Sequence, residues 1–421
     1  MTTQRLSVLR YPAVRLLLTA RLAGTTAAQI LSTVVGWQVF AISHDPLALG
    51  YVGLAQFLPI ALLILPAGNA ADRFNRKYQL GIAWALALAV SILFVALSLT
   101  TAKRLWLFFT LLALFGVARA FAGPALSSFM PLLVPEKELA PVIALNSTAF
   151  QISIIAGPAV GGALYILGPG IAYGTSAGLF LVAMTATFSI RHYRRQRRDT
   201  SGKGALSRFV AGIAYVRNSP VLLGAISLDL FAVLFGGATA LLPIYASEIL
   251  RVGPIGLGAL RSAMAIGAFF VGLWLGRYSL GRHAGRVMFA CVAVFGLATI
   301  VFALSRSFAL SMLALVIAGG ADMVSVYIRS TMVQIATPDE MRGRVSAVNS
   351  LFIGTSNEMG EFESGVTANW FGTVPAVVIG GIGTLLVVGF WMWRFPALRR
   401  VDRLSDLSVA RSPGPDAPPA P

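Results

Sequence analysis

A single cysteine, Cys291, stands among 421 residues, so no intramolecular disulfide framework and no cysteine metal cluster can form. Histidine is almost as scarce: His44, His192 and His283 fall in separate predicted loops, leaving no imidazole cluster for a zinc site. No metal and no cofactor are therefore expected. Charge is thin at 12 % of residues, and acid is thinner still, with 16 Asp and Glu against 33 Lys and Arg. No G-x-x-x-x-G-K-S/T phosphate loop occurs, which argues against an ATP-driven pump. The N-terminus, M-T-T-Q-R-L-S-V-L-R-Y-P, lacks a signal-peptide cleavage pattern, and the first apolar run is too long for one, so that run is expected to remain as a helix.

What fills the chain instead is hydrocarbon. Hydrophobic residues make up 57 % of it and the mean hydropathy is +0.79, which excludes an ordinary soluble protein. A helix crosses a bilayer core with about 20 apolar residues. Twelve runs qualify: 15–42, 48–70, 80–100, 105–128, 142–167 and 170–190, then 221–247, 255–276, 285–305, 308–330, 345–369 and 373–393. The expected class is an all-α integral membrane protein.

The net charge of +17 suggests nucleic acid only until its placement is read. With both termini in the cytosol, four of the 33 cations (Lys103, Arg104, Arg251, Arg306) fall outside, four (Arg21, Arg119, Arg261, Arg329) fall within spans, and the rest are cytosolic. That is the positive-inside bias of a multi-pass membrane protein. The densest cluster, R-H-Y-R-R-Q-R-R from Arg191 to Arg198, reads as a topology anchor against anionic lipid, and no nucleic-acid partner is expected.

Between the second and third runs lies G-N-A-A-D-R-F-N-R-K, from Gly68 to Lys77. Gly68 permits close approach of a neighbouring helix. Asp72 is an anion suited to the N-terminal end of another helix. Arg73, Arg76 and Lys77 also fix topology. The pattern G-x-x-x-D-R-x-x-R-K resembles the signature loop between helices 2 and 3 of the major facilitator superfamily, with Asn75 where that family usually has glycine. The resemblance implies a fold of twelve transmembrane helices in two six-helix pseudo-symmetric bundles. It also implies that the loop makes a gate contact in one state and breaks it in the other. Further resemblances follow along the chain. Arg119, four residues before Gly123, matches an R-x-x-x-G motif tied in the family to proton transfer or substrate handling; a salt bridge between two helices is the plainer reading. Gly157, Pro158, Gly161 and Gly162, in G-P-A-V-G-G, resemble the motif of proton-driven antiporters, and their residue types predict a hinge or a close helix crossing.

The two halves repeat. Pro135, Glu136, Val142, Ala144, Asn146 and Ser147 recur 203 residues later as Pro338, Asp339, Val345, Ala347, Asn349 and Ser350. At the same offset Gly116 meets Gly319, Gly157 meets Gly360, Gly162 meets Gly365, and Arg119 meets Asp322. Parallel six-helix repeats form a site at their interface near the bilayer midplane. The expected divisions are an N-terminal bundle over 1–190, a basic cytosolic linker over 191–220, a C-terminal bundle over 221–395 and a disordered Pro-rich tail over 396–421.

Charges inside spans are costly and face cavities or partners. Arg119 and Asp322 are expected to face one central cavity, with Glu358 beside them. Arg21, near the start of the first span, is expected at the cavity too, or to snorkel to the surface. The run T-T-A-A-Q with Ser32 and Thr33 suits a wall facing water or substrate. Five carboxyls, Asp229, Asp322, Glu358, Glu361 and Glu363, lie in the second half. Burial raises a carboxyl's proton affinity and a nearby arginine lowers it again. Asp229 has no arginine between Pro220 and Glu248, and Glu361 and Glu363 are likewise unpaired in sequence, so these three are the candidate proton carriers. Asp322 is expected to be held ionised by Arg119 or Arg329. The stretches E-F-E-S-G and S-L-D-L-F-A-V-L-F-G-G are similar to the enterobactin-exporter branch of the superfamily. The resemblance therefore implies a non-enzymatic, proton-coupled exporter of a small organic molecule, a siderophore, in a bacterial inner membrane. A drug or macrolide efflux pump is the alternative within the class; a non-transporting receptor or scaffold, or a membrane-embedded enzyme, stands outside it.

Overall fold

A computed structural model describes residues 7–100, 104–191, 205–278 and 282–404, and these are helical throughout apart from short connections. The long helices are α1 Pro12–Ser43, α2 Pro46–Arg73, α3 Arg76–Leu99, α4 Leu105–Phe129, α5 Leu139–Ile166 and α6 Pro169–Ser189. The second set comprises α7 Pro220–Phe235, α8 Gly253–Arg277, α9 Ala284–Leu304, α10 Phe308–Ala336, α11 Asp339–Phe371 and α12 Thr373–Arg394. Among the described residues eleven helical segments are long and apolar enough to cross a membrane. The twelfth, α11, has the length at 33 residues but carries the Glu358, Glu361 and Glu363 carboxyls that thin its hydropathy. Twelve helices running alternately up and down put Ser7 and Leu404 at one face, called here the terminal face.

Local chemistry sets the helix ends. Proline opens α1, α2, α6 and α7, where its missing N–H costs nothing and its fixed φ suits a first turn. Asp45 caps α2 by accepting from the Leu47 amide at 2.8 Å. The irregular stretch after α7 begins at Gly236–Gly237 and continues as a 3-10 turn, Ala238–Leu241, and a π turn, Tyr245–Ile249. The broken helix has a packing reason: Phe295 and the Gly360 backbone sit where Cβ atoms of Gly236 and Gly237 would project.

Helices α1 to α6 share one apolar core, around Phe94, Phe108, Phe115, Phe129 and Phe180. The second set packs around three: one at Met288, Phe289 and Met332, one at Tyr245, Leu260 and Phe302 that also takes in Phe40 of α1 and Leu49 of α2, and a small one at Phe295 and Ala321. The halves meet where α5 crosses α8 and where α2 crosses α11. In lipid no hydrophobic gain separates helix–helix from helix–tail contact, so close backbone approach and hydrogen bonds hold such crossings. Glycine provides the approach at both, and the repeat reappears in space. Gly162 lies against the carbonyl of Pro254 and Cα of Gly258; its repeat mate Gly365 lies against the carbonyl of Pro46 and Cα of Gly50. Likewise Gly157 packs on α1 and Gly360 on α7, while Gly116 packs on the α2 backbone and Gly319 on that of α8. Hydrogen bonds add to the α5–α8 crossing: Ser262 Oγ donates to the Ile155 carbonyl at 2.6 Å and Gln151 Nε2 to that of Ala265 at 2.9 Å.

Two boundaries differ from the sequence expectation. The linker holds a helix, Ala205–Asn218, lodged on α11 with Gly212 against the Arg344 carbonyl and Tyr215 Oη donating to the Ala336 carbonyl at 2.8 Å. The tail is ordered through Leu404. Leu398 is fully buried, and the Ala284 and Gly285 amides donate to the carbonyls of Asp402 and Val401 at 3.0 Å each, so 396–404 close off the start of α9. The Arg191–Arg198 cluster beyond Arg191, and the chain after Leu404, lie outside the described residues.

Candidate functional site

A cavity of about 380 Å³ lies between the halves. Its wall takes Arg21, Gly24, Thr25, Gln29 and Ser32 from α1, Gln56 from α2, Trp84 from α3, Arg119 and Gly123 from α4, Phe150 from α5, Arg261 from α8, and Glu358 and Glu361 from α11. The α2–α11 and α5–α8 crossings seal it toward the face opposite the termini. Toward the terminal face the lining continues through Arg21, Gly123 and Phe150. Arg119, ten residues from the end of its helix, keeps 41 % of its side chain exposed, as an open cavity requires.

Arg119 ties the halves together: its Nη1 donates to Gln56 Oε1 at 3.1 Å and to Glu358 Oε1 at 3.2 Å. Glu361, one helical turn on from Glu358, packs over Gly53 of α2, where a Cβ would come within 2.9 Å of its own Cβ. It lies within electrostatic reach of Glu358, Arg261 and Arg119. Arg261 in turn has Thr33 Oγ1 at 3.5 Å from Nη1. The polar run on α1 faces this space as expected. Arg21 does not snorkel away; its guanidinium carbon sits 4.4 Å from the ring centroid of Phe150 inside the cavity.

Three carboxyls stand elsewhere. Asp229 is not unpaired: it forms an ion pair with Arg329 of α10, both almost wholly buried inside the second half. The partner comes from another helix 100 residues away, so the scan of the Asp229 neighbourhood in sequence missed it. Arg329 is thereby committed to Asp229 rather than to Asp322, and Arg119 to Glu358. Asp322 is half-buried and does not line the cavity that Arg119 lines, so the two repeat mates do not share it. Glu363 points along its own helix, accepting from Thr367 Oγ1 at 2.7 Å. Gln56, Trp84, Phe150 and Arg261 are cavity residues absent from the sequence-based set; of these only Arg261, a charge within a span, carried a signal that singled it out.

The loop between α2 and α3 has a mechanical reading. Asn75, in place of the expected glycine, caps α3 by accepting from the Lys77 amide at 3.0 Å. Lys77 Nζ donates to the Ile190 carbonyl at 2.8 Å, satisfying the end of α6. Gln79 Nε2 donates to the carbonyls of Ala67 and Phe121 at 3.2 Å each, pinning α2, α3 and α4 together. Arg73 is exposed and Arg76 buried. Among the described residues nothing lies within 4 Å of the Cβ position of Gly68, and the close approach expected there is not seen among them. The side chain of Asp72 lies outside the described residues. In α5 the Gly157–Gly162 motif forms a close crossing rather than a break, since the helix runs unbroken and both ends of the motif touch backbone or Cβ atoms of α1 and α8.

Two six-helix halves around a central charged cavity define a major facilitator transporter. The profile of the family described as transmembrane secretion effector matches residues 3–417, and the chain belongs to that family. It is 24 % identical over 390 residues to the enterobactin exporter EntS of Shigella boydii serotype 18, covering 91 % of this chain and 92 % of that protein. It is 24 % identical over 253 residues to macrolide efflux protein A of Streptococcus pyogenes, covering 59 % and 62 %. Among solved structures, a bacterial homolog of the human lysosomal transporter Spinster, in an inward-facing and occupied conformation, matches with a TM-score of 0.72 at 15 % identity over 94 % of this chain and 98 % of that one. The D-xylose–proton symporter matches with a TM-score of 0.69 at 13 % identity over 92 % and 98 %.

Proposed function

We propose that this protein exports a small organic molecule, a siderophore, from a bacterial cytoplasm across the inner membrane in exchange for protons, with both termini cytoplasmic. The observation that carries the reading is Glu361: a carboxyl in the wall of the central cavity, on a helix that forms one of the two seals between the halves, with two arginines within electrostatic reach. Such a group can gain a proton when the cavity opens one way and lose it when it opens the other, and its charge then alters the crossing it packs on. Proton occupancy and the seal are thereby coupled. Glu363 and Asp229 are second choices, Glu363 because its bond to Thr367 keeps it within its own helix and Asp229 because Arg329 already neutralises it. Asp322 serves a structural or substrate-binding role. The loop at Gly68, Asp72, Arg73, Arg76 and Lys77 acts as the gate on the terminal side, and the sealed crossings at Gly162 and Gly365 act on the other. Export of a siderophore is supported by the similarity to the enterobactin exporter and by the antiporter-like motif in α5.

The test is transport in proteoliposomes with an imposed pH gradient. Glu361→Gln should abolish uphill, gradient-driven export yet spare substrate exchange. Full pH-dependent uphill transport by that variant would overturn the assignment. A competition panel of siderophores and macrolides separates the siderophore reading from broad drug efflux.

A further inference from the structure

The two crossings between the halves are alike in glycine and unlike in charge. At α5–α8 the contacts are Gly162 on Pro254 and Gly258, together with the neutral bonds of Ser262 and Gln151 to main-chain carbonyls. At α2–α11 Gly50 lies on the Phe362 carbonyl and Cα of Gly365, and one turn along α2 Gly53 faces Glu361. A Cβ at Gly53 would stand 2.9 Å from Glu361 Cβ, 3.0 Å from Glu361 Oε2 and 3.4 Å from the Glu358 carbonyl oxygen. The missing methyl is therefore a notch in α2, and the side chain of Glu361 lies in it.

That notch offers little to a negative charge. It is backbone in the middle of a helix, where each N–H already donates to a carbonyl of its own helix. Among the described residues neither a hydrogen bond nor an ion pair reaches the Glu361 carboxyl. Arg119 of α4 is engaged by Gln56 and Glu358, and Arg261 of α8 has Thr33 beside it; both lie within electrostatic reach of Glu361. Arg21 of α1 stands over Phe150 in the cavity wall. On α11 itself Glu358 opposes a second negative charge, and Glu363 accepts from Thr367. Helix α7 meets α11 through Gly237 on Gly360 and keeps Asp229 paired with Arg329, while α2 turns Tyr51 toward Phe362 and Phe109. A neutral carboxyl suits the notch; an ionised one is unfavourable there and gains by swinging out toward water and the two arginines.

We propose that Gly53 is a positioning residue for proton coupling: its bare backbone receives the protonated Glu361 carboxyl and lets α2 and α11 close around it, whereas the ionised carboxyl leaves the notch and loosens that crossing. This rests on the reading of Glu361 as the proton carrier and adds a direction to it. The protonated transporter is the one sealed on the side opposite the termini. When the carboxyl gives its proton to water in the cavity, which is open at the terminal face, the seal is released and the opposite side can open.

The experiment puts spin labels on Ala41→Cys, near the non-terminal end of α1, and Trp370→Cys, near that of α11, both exposed positions, in a Cys291→Ala background. Double electron–electron resonance on the full-length protein in lipid nanodiscs reads the distance across the seal from about pH 5 to about pH 9, the range over which buried carboxyls ionise. The parent should hold a short distance at low pH, and its open-to-closed ratio should rise by roughly tenfold or more at high pH. Glu361→Gln should stay closed throughout. Gly53→Ala should be open already at low pH, because carbon contacts settle near 3.5–4 Å and the crossing must widen by roughly 1 Å. Gly53→Ala combined with Glu361→Gly moves the glycine to the facing helix and should restore closure at every pH. A parent without pH dependence, a Glu361→Gln variant that opens as the parent does, a Gly53→Ala variant closed at low pH, or a glycine exchange that stays open would each overturn the proposal. No cargo and no gradient are involved, so proton-independent export would sink the coupling reading and leave a pH-gated seal standing. Proton-driven export that Gly53→Ala leaves unaltered would sink the notch alone.

Discussion

Removing one member of the Asp229–Arg329 pair should cost far more than removing both. Arg329 is 1 % exposed and Asp229 5 %, so neither charge can turn to solvent when its partner is lost. Breaking a buried pair from one side costs about 3–5 kcal/mol, whereas replacing the whole pair with well-packed apolar or neutral groups is often neutral or stabilising. Asp229→Asn leaves a cation buried between α7 and α10, and Arg329→Met leaves an anion there. Each single variant should fall by that amount in the stability of the purified protein and lose abundance in the membrane. The double variant should recover most of it, giving a coupling energy of about 3 kcal/mol or more in a double-mutant cycle. Thermal denaturation in detergent reads the first quantity and quantitative blotting of membranes the second. Singles as stable as the parent, or a double no better than the worse single, would refute the reasoning. Transport by the double variant then bears on coupling. If the pair is architectural, uphill export returns with the fold; if Asp229 carries the proton, the protein returns and the uphill export does not.

Other outcomes follow from the remaining contacts. Gly365→Val should destroy the α2–α11 seal, because even a Cβ there meets Gly50 Cα at 2.6 Å. In a Cys291→Ala background, a cysteine at position 33 should then label from the non-terminal side, and unchanged protection would contradict the assigned seal. Arg119→Gln or Glu358→Gln should cut transport at least tenfold with little loss of abundance, since a partly exposed pair contributes no more than about 1 kcal/mol. The exchange Arg119→Glu with Glu358→Arg should restore part of the transport if the bridge itself matters, and none of it would argue against that. Asp72→Asn should cripple transport while insertion and abundance stay intact, and normal export by that variant would rule out the gate. Lys77→Met should lower thermal stability by about 1.5–3 kcal/mol through loss of the bond to the Ile190 carbonyl, with no change expected in ligand affinity.

The run lengths, the positive-inside bias and the 203-residue repeat determined the helical membrane fold, because hydrophobic length and loop charge act locally and leave their mark on consecutive residues. The repeat went further than topology, since Gly162 and Gly365 make equivalent crossings in the two halves. The glycine and proline of the antiporter-like motif were legible as a hinge or a close crossing, and only the neighbouring backbones of α1 and α8 decided for the crossing. Ion pairing was decided by tertiary structure alone. Arg119 finds Glu358 from 239 positions away, and Arg329 takes Asp229 from across the second half, so a count of nearby charges along the chain left Asp229 without the partner it has and gave Asp322 partners that are engaged elsewhere. Trp84 gave no signal in sequence, because an aromatic in an apolar helix looks the same whether it faces lipid or a cavity. What separates these cases is that a buried charge or an indole N–H is governed by whatever its helix face meets, and which faces meet is set by the packing of twelve helices around one another.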